Sequence, residues 1–201
     1  MLNSYKTFIH LINDIENTET LYLHITEVMK VPLDCSDLLR WEWAQCVSAF
    51  DKLMHDLIRV GMMQSFNGIR PVTKKFKGYM MDYDTYEQMK ISFSPETIFH
   101  QRIILKNSTL SFQSPDKIAD GLSYIWNESD KWLKIATYIN VDKNSCVTTM
   151  RNIVNRRNQI VHEGDYIDPF STQRQDILFE DVIDTKEFIK KLGNAIYNLV
   201  L

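Results

Sequence analysis

Hydrophobic residues recur at helical spacing along most of the chain, with short polar breaks between the repeats. Apolar positions follow one another every three or four residues over residues 4–29, 37–65, 115–139, 144–163 and 185–201. This spacing places side chains on one face of an α-helix. A further helix is predicted over 95–112. The pattern predicts an all-α protein whose amphipathic helices pack as an up-and-down bundle.

The second helix has the clearest boundaries and the broadest apolar stripe. Ser36 or Asp37 can cap its start, and the segment "NGIRP" at residues 67–71 ends it. Further along, Ser114 and Pro115 predict another helix start, because proline is favoured at the first helical position. The first helix is expected to break near "ENTET", residues 16–20.

The hydrophobic residues of segment 72–95 do not recur at a regular spacing. This indicates an excursion from one end of the bundle. The segment interleaves lysines with aromatic residues, which resembles a small nucleic-acid-binding patch. Lysines beside a loop are more often simply solvated, so both interpretations stay open. The residues concerned are Lys74, Lys75, Phe76, Lys77 and Tyr79.

Composition and charge narrow the class of protein. The chain has 201 residues and 44% hydrophobic residues, enough for one domain with a sizeable core. A net charge of −3 argues against a generally basic nucleic-acid-binding surface, although it allows a local basic patch. Three widely spaced cysteines suggest free thiols in a reducing cytosol. The sequence contains neither a signal peptide nor an apolar span of 18 residues, so a cytoplasmic protein without membrane contact is expected.

The helix over 144–163 carries polar residues where its apolar stripe predicts packing residues. Its stripe contains Val154 and Val161, and steps of three or four residues between them fall on Arg157 and Asn158. An arginine in a core is costly unless it is paired. The polar pair therefore indicates either a functional site or a structural polar network at the helix end.

His162 extends this candidate site. Asn158 and His162 are four residues apart and share a helix face, whereas Arg157 lies about 140° around the axis from His162. A second copy related by a two-fold axis would bring arginines and histidines together in one cleft.

The residue types suit phosphodiester cleavage in RNA. Histidine has an unperturbed pKa of about 6.5 and can move protons at neutral pH. Arginine matches phosphate oxygens and stabilises developing negative charge, and Asn158 could orient the imidazole. RNA supplies its own nucleophile in the 2′-OH, so acid–base and electrostatic assistance are enough. No metal-ligand spacing and no cofactor motif is present, so neither a metal nor a cofactor is expected.

The segment "RNQIVH", residues 157–162, resembles the Arg-polar-x-x-x-His motif of the HEPN superfamily. The longer "RRNQIVHEGD" and the earlier "LLRWEWAQCVSAFDKLMHDLIRVGM" resemble its RiboL-PSP branch. The resemblance implies a single HEPN-like helical domain over 1–201, a two-fold homodimer and metal-independent endoribonuclease activity on an RNA substrate. By family analogy, the setting would be a toxin–antitoxin or anti-phage defence system with a partner protein.

The same resemblance implies roles for individual residues. Arg157 and His162 would be catalytic, Asn158 would support them, and Asp51 would orient one of them from the second helix. In some toxins of this superfamily, a nucleotidyltransferase antitoxin modifies a tyrosine two residues after the histidine. Gly164 occupies that position here, and Tyr166 follows two residues later.

Several alternatives remain at the level of sequence. Asp51 lies at the edge of its apolar stripe and could be a solvated boundary residue. Arg151 and Arg156 could contact RNA phosphates or could form a solvated face. The whole chain could be a non-catalytic HEPN module that binds RNA or a partner protein.

Overall fold

The computed structural model describes all 201 residues and confirms the all-α prediction. It contains nine α-helices, one π-helical turn and an isolated β-bridge between Tyr166 and Arg174. In chain order the helices are α1 (Leu2–Leu23), the π-helical turn (His24–Val28), α2 (Ser36–Phe66), α3 (Lys74–Lys77), α4 (Tyr83–Ile91), α5 (Pro95–Asn107), α6 (Pro115–Leu122), α7 (Lys131–Tyr138), α8 (Lys143–His162) and α9 (Phe179–Leu199).

The long helix α2 is the centre of the bundle, and α1, α5, α6, α8 and α9 all pack against it. Its apolar stripe is buried almost without interruption, as its sequence predicted. One continuous core of 30 buried residues results. Burial of this stripe removes the largest continuous apolar surface in the chain from water, which is the main force that holds the helices together.

The structure moves several predicted helix boundaries. The first helix does not break at "ENTET" but continues to Leu23, because its backbone hydrogen bonds continue through this stretch and Glu19 within it pairs with Lys186 of α9. Residues 115–139 form two helices, since Asp130 caps the start of α7 by accepting a hydrogen bond from the Leu133 amide at 3.1 Å. The Ser36 side chain does not cap α2; its hydroxyl accepts a hydrogen bond from Arg40.

The predicted excursion over 72–95 contains two short helices, α3 and α4. Thr73 and Asp82 cap them by accepting hydrogen bonds from backbone amides three residues later. Neither helix has a fully buried residue, although several aromatic side chains of this segment pack on the core surface. This explains why the segment lacks a clear hydrophobic period.

The position of α8 determines where the candidate site lies. Four side chains of this helix are buried against the core: Cys146, Met150, Ile153 and Val154. The indole Nε1 of Trp43 on α2 donates a hydrogen bond to the Ile153 carbonyl at 3.0 Å, which fixes the two helices side by side. None of the helices combines the length and the hydrophobicity needed to cross a lipid bilayer.

Candidate active site

The apolar stripe of α8 leaves the core before the last turn of the helix. Met150 and Val154 are buried as predicted, but Val161 is 47% exposed. Arg157 and Asn158 are half-buried rather than enclosed. The hydrophobic spacing thus predicted a deeper position for Arg157 and Asn158 than the structure shows, because the apolar stripe of α8 does not contact the core along its whole length.

Arg157 has an incompletely satisfied guanidinium. Its Nη1 donates a hydrogen bond to Oδ1 of Asn158 at 3.1 Å, which holds the two predicted residues together. Its Nε is buried without a hydrogen-bond partner, and no carboxylate forms an ion pair with the group. A positive charge in this state keeps donors available for an anion such as a phosphate.

His162 is the last residue of α8, and its side chain is exposed. It lies one helical turn after Asn158, on the same side of the helix. The histidine is thus accessible to a substrate.

Arg156 is largely buried, and its guanidinium is held by contacts within the chain. Its Nη2 donates to Oδ2 of Asp165 at 3.0 Å and to the Asp176 carbonyl at 2.9 Å, and Nη1 bonds to the Gln175 side chain. These contacts occupy the donors that a phosphate would need. The predicted RNA contact through Arg156 is therefore not supported by its position, whereas Arg151 is exposed and stays a predicted RNA contact.

Asp51 has a different set of partners from those expected. Its Oδ1 accepts a hydrogen bond from the Phe112 amide at 2.7 Å, and its Oδ2 accepts one from Nε2 of Gln113 at 2.9 Å. The helices α2 and α8 meet at Trp43, which lies about two turns before Asp51 on α2. Within one chain, Asp51 therefore holds the segment before α6 and makes no hydrogen bond to the end of α8.

An anchor that the sequence did not predict fixes the loop after His162. Asp165 is fully buried, and its Oδ2 accepts hydrogen bonds from Nε of Arg40 at 2.7 Å and from Arg156 at 3.0 Å. Arg40 also donates to the Gln175 carbonyl at 2.8 Å. We call Arg40, Arg156, Asp165 and Gln175 the Asp165 anchor. It ties α2, α8 and both ends of the loop together directly behind His162.

One signal in the sequence could have indicated this anchor. Gly164 and Asp165 both have positive φ, at 67° and 63°. A glycine followed by an aspartate after a helix is typical of such a turn, because both residue types tolerate this conformation better than most. The arginines that meet Asp165 carry no such signal, because polar residues such as Asp37 and Asn152 share their helix faces.

Replacement of Asp165 should destabilise the protein strongly. Asp165→Asn keeps the shape and the positive φ but removes the charge that faces two arginines, of which Arg40 is only 7% exposed. Loss of one partner from a buried ion pair typically costs about 3–5 kcal/mol. The free energy of unfolding, measured with urea, should fall by about 3 kcal/mol.

A matched substitution tests whether burial causes this effect. Asp37 also pairs with Arg40, at 3.6 Å, and with Arg174, but its side chain is 74% exposed. Asp37→Asn should change the free energy of unfolding by less than about 1 kcal/mol. Equal effects of the two substitutions would show that the Asp165 anchor is not a buried charge cluster.

A cleft beside α8 lies on another face of the helix. It has a volume of about 460 Å³ and is lined by Trp43, Asn152 and Arg156 together with aspartates from the start of α9 and the segment before it. Arg157, Asn158 and His162 do not line it. No group of three histidine, cysteine, aspartate or glutamate side chains in the chain is arranged to hold a metal ion.

Comparison with protein families supports the resemblance seen in the sequence. The model of a family described as RiboL-PSP-HEPN matches residues 3–201, nearly the whole chain. The comparison with curated proteins and the comparison with solved structures each found no match. The match over the full length confirms the resemblance inferred from "RNQIVH" and from the second helix.

Proposed function

Because the chain belongs to the RiboL-PSP-HEPN family, we propose that it is a metal-independent endoribonuclease with Arg157 and His162 as its catalytic residues. The observation that carries the proposal is the contrast between two adjacent arginines. Arg156 is neutralised by Asp165, whereas Arg157 has no carboxylate partner. The last two turns of this helix thus carry one guanidinium without a carboxylate partner and one exposed histidine.

The proposed reaction is an internal transfer of the phosphoryl group. The 2′-OH of one nucleotide loses its proton to a general base and attacks the adjacent phosphorus. The bond from phosphorus to the 5′-oxygen breaks, and a general acid protonates that leaving oxygen. His162 supplies the acid or the base, and Arg157 stabilises the negative charge on the phosphorane-like transition state. The products are a 2′,3′-cyclic phosphate and a 5′-OH.

The proposed site is composite and is formed by a two-fold homodimer. On one helix Arg157 lies about 140° from His162, so a second copy provides the simplest way to place both groups at one phosphate. Support comes from exposed apolar side chains close to His162 in the sequence, on the last turn of α8 and in the loop that follows: Val161, Tyr166, Ile167 and Phe170. Contact between two copies would remove such a surface from water.

The biological role that we propose is that of a cytoplasmic toxin or anti-phage defence effector, restrained by an antitoxin or another partner protein. Family membership supports this setting. Gly164 replaces the tyrosine that some antitoxins modify, and the next tyrosine, Tyr166, lies close to Arg174 in the following loop. We therefore expect restraint by binding rather than by modification at position 164.

The test is cleavage of a 3′-labelled RNA by the purified protein in the presence of EDTA, with analysis of the new ends. We expect cleavage that leaves cyclic-phosphate and 5′-OH ends, together with growth arrest on expression. Cleavage that requires added Mg²⁺ would contradict the metal-independent mechanism. Absence of both cleavage and growth arrest would favour a non-catalytic HEPN module that binds RNA or a protein.

A further inference from the structure

A basic pocket lies between α3 and the segment that joins α6 to α7. Its volume is about 520 Å³, and it is open to solvent on one side. Three lysines and two aromatic residues contribute to its wall, and no acidic residue does. In a chain with a net charge of −3, such a wall is a local concentration of positive charge. The residues that matter here are Lys74, Lys75, Lys131, Tyr124 and Trp126.

Lys131 is the most deeply placed of the three lysines. It is only 9% exposed, and burial lowers the pKa of its ammonium group. Its Nζ donates one hydrogen bond, to the Glu128 carbonyl at 2.7 Å. An ammonium group has three donors, so two remain without a partner in the protein. The charge of Glu128 opposes this lowering of the Lys131 pKa, whereas the positive charge of Lys75 adds to it, and an anion bound between the two lysines would counter the effect of Lys75.

Lys75 and Lys74 complete the charged side of the pocket in different ways. The Lys75 ammonium lies 4.5 Å from the centre of the Tyr124 ring and also pairs with Asp120 outside the pocket wall. Lys74 is exposed and forms no ion pair or hydrogen bond with the protein. The pocket therefore presents Lys75 paired with a carboxylate, Lys131 near the charge of Glu128 but without an ion pair, and Lys74 without an acidic partner.

The basic pocket lies at the opposite end of α8 from His162. Lys143, the first residue of α8, pairs with Asp130 at 2.6 Å, and Asp130 immediately precedes Lys131. The rise of 1.5 Å per residue gives about 28 Å from Lys143 to His162. A ligand in the pocket therefore cannot be part of the reaction at His162, but a strand several nucleotides long can reach both.

We propose that the basic pocket binds a phosphate and a neighbouring base of single-stranded RNA and so gives the substrate a second contact. This inference rests on the proposed function, because it takes RNA as the substrate. Lysines bind phosphates as point charges, and aromatic faces stack bases without regard to sequence. This pocket is open and has both lysines and aromatic faces in its wall. It therefore fits an RNA strand that passes through it better than a small molecule that needs an enclosed cavity.

Binding is measured separately from cleavage. The fluorescence anisotropy of a labelled 12-nucleotide RNA is followed in EDTA with the His162→Ala protein, in which cleavage does not interfere. Lys74→Ala should weaken binding about fivefold and reduce the dependence of binding on salt, because one phosphate contact is lost. Lys131→Met, which retains the buried stem, should act in the same direction. The circular dichroism and melting temperature of each variant show whether it is folded.

Lys77 provides the matched control. It is an exposed lysine on the same short helix as Lys74 but does not line the pocket. Lys77→Ala should change the affinity by less than twofold. Equal losses for Lys74→Ala and Lys77→Ala, or unchanged binding by both, would overturn the inference. Because Lys74 is exposed, its variant remains informative even if Lys131→Met does not fold.

Two further comparisons separate the alternatives. If AMP bound as tightly as the RNA and lost this affinity in Lys74→Ala, the pocket would take a free nucleotide, and the inference would be wrong. RNA binding that depends on Lys74 without any cleavage by the wild type would uphold the pocket and remove the proposed function. If the wild type cleaves RNA but Lys74→Ala and Lys131→Met bind RNA as tightly as the protein that retains both lysines, the proposed function would stand and the inference about the pocket would be wrong.

Discussion

His162→Ala should reduce the rate of RNA cleavage by about 10²–10⁴-fold, because it removes the group that transfers the proton. Arg157→Ala should reduce the rate by about 10²–10³-fold, because it removes the charge that stabilises the transition state. Single-turnover cleavage of one RNA by each variant measures both effects. The melting temperature should change little for His162→Ala, since this side chain is exposed and makes no hydrogen bond.

Two substitutions at exposed positions outside the proposed catalytic pair show whether loss of any histidine or any arginine lowers the cleavage rate. His10 is an exposed histidine on α1, and His10→Ala should cleave at the wild-type rate. Arg151 is an exposed arginine on α8, and Arg151→Ala should weaken RNA binding without a large effect on the rate at saturating RNA. Equal cleavage by His162→Ala, Arg157→Ala and the wild type would point to another site or a contaminating nuclease.

The composite site predicts complementation between inactive variants. A heterodimer of one Arg157→Ala chain and one His162→Ala chain keeps one intact site if each site takes its two residues from different chains. Such a heterodimer, purified by two different tags, should recover about half of the wild-type activity. A site within one chain would leave every site with one defect, and the heterodimer would be inactive. A protein that is monomeric at the assay concentration would contradict the composite site directly.

The fold followed from the sequence wherever the hydrophobic period was continuous. The stripe of α2 is buried as its spacing predicted, because a helix with one broad apolar face has only one side that can pack. The break between α6 and α7 was missed because Asp130 ends the continuity through a local cap, which hydrophobic spacing does not reveal. The short helices α3 and α4 were missed because they have no buried residue.

The candidate site was predictable only in part. The motif identified Arg157, Asn158 and His162, and the first two are in hydrogen-bond contact. It did not reveal that Arg156 is paired with a carboxylate, since this pairing depends on a loop that runs from Asp165 to Gln175. Contacts between residues far apart in the chain, such as Arg40 with Asp165, leave no periodic signal.

Glu42 should make the protein less stable as the pH rises, and Glu42→Gln should remove this dependence. The Glu42 side chain is fully buried on α2, and neither carboxylate oxygen has a hydrogen-bond partner. Burial, and then the negative charge of Glu19, raise the pKa of Glu42 to about 8, against the opposing effect of Lys186. Lys186 contributes little because it is already paired with Glu19. At neutral pH the folded protein therefore keeps a proton that the unfolded chain releases.

The sign of the effect follows from this proton. Below the unfolded pKa of about 4.5, both states bind the proton and Glu42 causes no loss of stability. As the pH rises from about 4.5 towards 8, only the folded state holds it, so the free energy of unfolding falls by up to about 1.4 kcal/mol per pH unit. Urea unfolding at pH 5.5 and pH 8.5 should show that the stability of Glu42→Gln relative to the wild type rises by about 2–4 kcal/mol between the two pH values.

An exposed glutamate isolates the contribution of Glu42 from that of all other titrating groups. Glu180 is exposed in the first turn of α9, and Glu180→Gln should follow the pH profile of the wild type. A Glu42→Gln profile parallel to that of the wild type would show that Glu42 is ionised in the folded protein and reaches a partner or water. A difference that grows with pH would instead establish a buried, neutral carboxylic acid at the junction of α1, α2 and α9.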